Sequence, residues 1–96
     1  MMKKLVRDRI PELVPGTYVR VSSSRELFEM LKRKLVEEVM EFLESDNIEE
    51  LADILEVVEA LARMKGVEWQ KLIEIKEAKR RERGGFEKGY ILIAKD

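Results

Sequence analysis

Two runs of apolar residues at helical spacing, separated only by Ser45-Asp46-Asn47, constrain the fold of this chain more than any other feature. In the first run Phe28, Leu31, Leu35, Val39 and Phe42 make one stripe, with Leu27 at its edge. In the second, Leu51, Ile54, Leu55, Val58, Leu61 and Ala62 make another, with Val57 at its edge. Apolar residues recurring every three or four positions describe amphipathic helices. A polar turn this short makes the two helices antiparallel neighbours.

Each helix carries a pair of acids spaced i, i+3, which lie about one turn apart on one face. The pairs are Glu38 with Glu41, and Glu50 with Asp53. At about 100° per residue, Glu38 falls between Leu31 and Leu27, and Glu41 lies just past Leu27. Glu50 falls between Ile54 and Val57, and Asp53 just past Val57. A lone buried carboxylate prefers to be protonated. Four that converge on one core edge describe a site for a hard divalent cation such as Mg²⁺. The alternative is a solvated acidic rim, the usual fate of Glu-rich helix faces. Glu37, Glu44, Glu49, Glu56 and Glu59 point away and are expected at the surface.

Composition narrows the chemistry. With no Cys and no His there is no disulfide framework, no thiol nucleophile and no imidazole base. Carboxylates, Lys, Arg, Tyr and a metal are what remains. The net charge of −1 makes no case for specific nucleic-acid binding. The charged start MMKKLVRDRIPE resembles neither a signal peptide nor a membrane span, so the expectation is a cytoplasmic protein without membrane contact. Ninety-six residues suit one domain, 1–96, small enough for oligomerisation to aid its stability.

Local signals set the remaining elements. Pro11 opens a short helical turn. Ser23 with Glu26 is a capping box that starts a helix over 24–44, and Asp46 with Glu49 is a second, starting a helix that ends near Lys65 and Gly66. A third helix spans 68–83, stopped by Gly84-Gly85. The expected fold is therefore all-α, an antiparallel bundle of three main helices. Thr17–Val21 and Tyr90–Ile93, rich in β-branched and apolar residues, are expected to pair as a minor hairpin. Trp69 and Phe86 are expected to pack rather than stack on bases. The GGFEKG segment lacks the Lys-Ser/Thr ending of a phosphate loop. The stripe of Trp69, Leu72 and Ile75 continues into Lys76, Lys79 and Arg83. These either complement the helix dipole or contact phosphates.

The order EEVME (Glu37–Glu41) then EELAD (Glu49–Asp53) resembles the all-α NTP pyrophosphohydrolase superfamily, the MazG-like proteins. KLVRDRIPE (Lys4–Glu12) and KRRERGGFEKG (Lys79–Gly89) are similar to its phosphoribosyl-ATP pyrophosphohydrolase-like branch, so the likeness spans nearly the whole chain. The gap from Phe42 to Glu49 is shorter than in many members. The resemblance implies a homo-oligomer, dimer or tetramer, with active sites assembled between subunits. It implies Mg²⁺, with Mn²⁺ as a substitute, held by Glu38, Glu41, Glu50 and Asp53. It further implies hydrolysis of a nucleoside triphosphate or related nucleotide, phosphoribosyl-ATP among them, to the monophosphate and pyrophosphate. Glu38 or Glu41 would act as general base, and Lys76, Lys79 and Arg83 as phosphate contacts, with Arg7 and Arg9 as looser ones. Two other readings stay open: a non-enzymatic helical module that dimerises through its stripes, and a nucleotide sensor that binds without hydrolysis.

Overall fold

A computed structural model describes residues 3–96. Four helices follow in order: α1 (Ile10–Leu13), α2 (Ser24–Ser45), α3 (Ile48–Met64) and α4 (Trp69–Arg83). The fold is all-α, and no strand occurs among the described residues.

The capping signals act nearly where expected. The Ser23 hydroxyl accepts from the Glu26 backbone N–H at 3.1 Å, while the Glu26 carboxylate accepts from Ser22 N–H at 2.7 Å. At the hairpin turn the cap falls one residue later than Asp46. The Asn47 side chain accepts from Glu49 N–H at 2.9 Å. Asp46 closes α2 instead, in the left-handed conformation at φ 56°, a role its short polar side chain tolerates. Gly66, at φ 75°, follows the end of α3, where its freedom at positive φ is needed.

α2 and α3 pack as the antiparallel pair. Near the turn Glu38 meets Glu50 and Asp53. Farther from it, Leu27 and Leu31 share a cavity wall with Val57, Ala60 and Met64. The face of α3 that packs differs from the expected one. Val57, expected at an edge, is with Leu31 the most buried apolar residue among those described, both 7% exposed. Leu55, expected in the stripe, is 52% exposed. Thus α3 is rotated so that its acid-bearing side turns inward.

The expected β-hairpin is absent: residues 17–21 and 90–93 are irregular, with no strand assigned. Two short strands alone are marginal in water, and they need a face to pack on. Here Val19, Ile91 and Ile93 remain exposed. Phe86, expected to pack, is 98% exposed. α4 packs lightly on α3, and an Arg80–Glu87 ion pair ties the C-terminal turn back to it.

Candidate metal centre

The i, i+3 spacing and the inward rotation of α3 bring carboxylates from both helices together. Ligand oxygens of Glu38, Glu50 and Asp53 all lie within 4.8 Å of one another. A second triad, Glu37, Glu38 and Glu41, meets the same criterion and shares Glu38. All four acids expected as ligands therefore belong to one cluster. Glu37, expected at the surface, joins it half-buried. The signal for that was the EE doublet itself, whose first member the face angle alone had placed outside.

Glu38 is 6% exposed. Its Oε1 forms an ion pair with Lys34 Nζ at 3.2 Å, but its Oε2 is buried with no hydrogen-bond partner. Glu50 Oε2 is likewise buried and unpartnered. A buried acceptor without a donor is costly. Two of them from successive helices, facing a third carboxylate, have the donor chemistry a hard cation requires.

The electrostatics fit the same picture. Desolvation, then the hydrogen bond and charge of Glu41, push the Glu50 carboxyl up to about 7. Burial raises Glu38 too, against the opposing pull of Lys34. Glu37 differs. Burial raises it, but the hydrogen bond from Lys4 and the charge of Lys34 outweigh this and hold it below the usual carboxylate range.

Of the cations beside the cluster only Arg7 was among those expected, as a looser phosphate contact; Lys4 and Lys34 were not. Lys4 Nζ reaches Glu37 at 2.9 Å, Lys34 Nζ reaches it at 3.4 Å, and Arg7 Nη2 reaches Asp53 at 2.5 Å. Lys34 had a visible signal, its i, i+4 spacing to Glu38. Lys4 had only its place in the basic segment before Pro11, and Arg7 only that and the resemblance, because their approach is tertiary. Lys76, Lys79 and Arg83 are exposed on α4. Lys76 pairs with Glu77 at 2.8 Å, and none of the three lines the cavities beside the acids.

Fold and site together define a class: an all-α chain whose central helical hairpin carries an inward-facing cluster of carboxylates close enough together to hold a metal ion. Compared with protein-family models, curated proteins and solved structures, the chain matches none. No helix among the described residues is long and apolar enough to cross a membrane.

Proposed function

We propose that this chain is a Mg²⁺-dependent nucleotide pyrophosphohydrolase, with Mn²⁺ able to substitute. Its substrate would be a nucleoside triphosphate or related nucleotide such as phosphoribosyl-ATP, its products the monophosphate and pyrophosphate. One observation carries this reading: the unpartnered buried oxygens of Glu38 and Glu50 beside Asp53. The MazG-like order of the EEVME and EELAD blocks supports it. Bound at this cluster, Mg²⁺ lowers the pKa of water and shields phosphate charge. Glu38, Glu50 and Asp53 hold the ion. Glu41, next to Glu38 and Glu50 but outside their triad with Asp53, takes the proton of the attacking water as general base. Chemistry of this kind is mostly positioning and electrostatics, so it needs neither His nor Cys. A panel of common and damaged triphosphates with phosphoribosyl-ATP, scored for pyrophosphate with Mg²⁺ and with chelator, tests the proposal. Saturable Mg²⁺-dependent release from at least one substrate is expected. Release from none would leave the sensor or the assembly module.

The reading includes a homo-oligomer, dimer or tetramer, and the exposed surface favours it. A folded monomer of 11.3 kDa exposes about 5,700 Å², whereas this chain exposes 9004 Å². Its radius of gyration is 16.9 Å, against about 12.5 Å for a compact chain of this length. Large apolar residues are among those exposed. Val36, Val39, Met40 and Leu43 form an open stripe on α2, and Ile48, Leu51 and Leu55 another on α3. In such an assembly Lys76, Lys79 and Arg83 serve phosphates held at a neighbouring copy's carboxylates. Leu43, 70% exposed, is the sensitive position. Leu43→Glu should convert the oligomer to single chains at micromolar concentration and lower its melting temperature, read by light scattering and thermal denaturation. In a chain monomeric from the start, the same exposed substitution would be close to neutral.

A further inference from the structure

Phe86 and the run Tyr90–Ile93 follow α4 and are left almost bare by their own chain, each at least 76% exposed. The run sits between Lys88 and Lys95. The turn before it is tied back to α4 by the Arg80–Glu87 ion pair. Contiguous exposed apolar residues with a charged rim mark a surface that binds something.

A surface of matching shape and opposite charge lies on α3. With Val57 turned inward, Ile48, Leu51 and Leu55 fall on the far side of the helix, within about 60° of one another, and all three are exposed. From Ile48 to Leu55 this strip is about 10 Å long at 1.5 Å per residue. Tyr90–Ile93 laid out as a strand spans about 10 Å as well. Residues 37–59 hold ten acids and no Lys or Arg, whereas residues 76–96 hold seven Lys or Arg and four acids. Asp46 and Glu49 flank one end of the strip, and Glu56 the other. Among the described residues, neither these three acids nor Lys88 and Lys95 take part in an ion pair.

We propose that the C-terminal arm, residues 86–96, crosses to a second copy of this chain and lies along the outer face of its α3. Tyr90–Ile93 covers the strip of Ile48, Leu51 and Leu55, and Lys88 and Lys95 meet the acids at its two ends. The inference rests on reading the chain as a homo-oligomer, and adds the segment that crosses and the surface that receives it. One chain leaves both halves of this contact bare, and two copies related by a two-fold axis cover both arms and both strips at once. The area suffices. The 9004 Å² that the chain exposes exceeds the about 5,700 Å² of a compact monomer by far more than the about 800 Å² each partner gives to a standard interface. Unlike charges on arm and strip set the partner and the position, while two like-charged arms repel.

Two measurements on the full chain test the exchange. Ile91→Ser/Ile93→Ser alters only exposed side chains, so the variant should fold. Its assembly should dissociate at least about tenfold more readily than the wild type, read by light scattering over a dilution series. Lys88→Glu/Lys95→Glu should weaken the assembly too, and added salt should narrow its difference from the wild type. The chain has no Cys, so introduced cysteines report the contact. Ile91→Cys chains are mixed with tagged Leu51→Cys chains and oxidised, and a disulfide joining one of each is expected. An arm variant that assembles as tightly as the wild type overturns the exchange and leaves the homo-oligomer standing. So does a double variant, Ile91→Cys/Leu51→Cys, that closes its disulfide within one chain. A wild type that stays a single chain at every concentration removes both ideas.

Discussion

Replacing Glu50 by Gln is expected to have opposite effects on stability and on function. In the absence of divalent cations the variant should melt at a higher temperature than the wild type. Glu50 is the member of the cluster with the strongest conflict: desolvated, close to Glu41, Asp53 and Glu38, and with one buried oxygen unpartnered. A neutral amide of the same shape removes the like-charge repulsion and can donate to a neighbouring carboxylate. The same change removes an oxygen proposed as a metal ligand. Saturable Mg²⁺ binding should disappear, and pyrophosphate release should fall about 10²- to 10³-fold, the size of effect expected when several kcal/mol of metal-borne charge stabilisation is lost. Asp53→Asn should show a similar loss of turnover. It should show less of the stability gain, because Asp53 already has Arg7 as a partner. Thermal denaturation with chelator, set beside a pyrophosphate assay with Mg²⁺, reads both halves. A Glu50→Gln protein that is less stable than the wild type and turns over normally would contradict the metal-centre reading.

The second large effect is on pH dependence. Glu50 has its folded-state pKa raised from 4.5 to about 7, and that of Glu38 is raised too. Between those limits the folded chain holds a proton that the unfolded chain has lost. Stability therefore falls as pH rises through this window, the reverse of the usual behaviour of a paired carboxylate. Glu26, Glu37, Glu77 and Glu87 are held below the usual range, so their contributions are lost only as pH falls below about 4.5. The metal-free protein should thus be more stable at pH 6 than at pH 8. Mg²⁺ requires the deprotonated ligands, so the rise in melting temperature that it produces should be largest above pH 7 and shrink below it. Melting curves at the two pH values, with chelator and with excess Mg²⁺, check the sign. Equal Mg²⁺ shifts at pH 6 and pH 8 would mean that Glu50 is not among the ligands.

Much of the frame was legible because its determinants are local. Helix spacing, Ser23 at one start, Gly66 and Gly84 at two ends, and a three-residue turn each act within a few residues. The cap at Asn47 was misplaced by one because Asp46 and Asn47 are both good caps, and the left-handed residue that closes α2 had to be one of them. The hairpin of 17–21 with 90–93 failed for a non-local reason. β-Branched runs mark strands only when a partner face exists, and neither segment packs against one. Of the site, the four carboxylates could be selected from angle and spacing. Lys4 and Arg7 could not, since 33 and 46 positions separate them in sequence from Glu37 and Asp53.

By itself the sequence determined a helical hairpin with two acid pairs, i, i+3, beside its apolar stripes. Those relations follow from 3.6 residues per turn and a short connection. Only the tertiary structure decided which part of each apolar arc is packed. On α2 the arc continues from Leu31 round to Val36, Met40 and Leu43, wider than one contact can cover, and hydrophobic burial has no preferred direction. The packing of α2 against α3 chose the side of Val57 rather than that of Leu55. That rotation turned Glu50 and Asp53 inward toward Glu38 and left an apolar face outside.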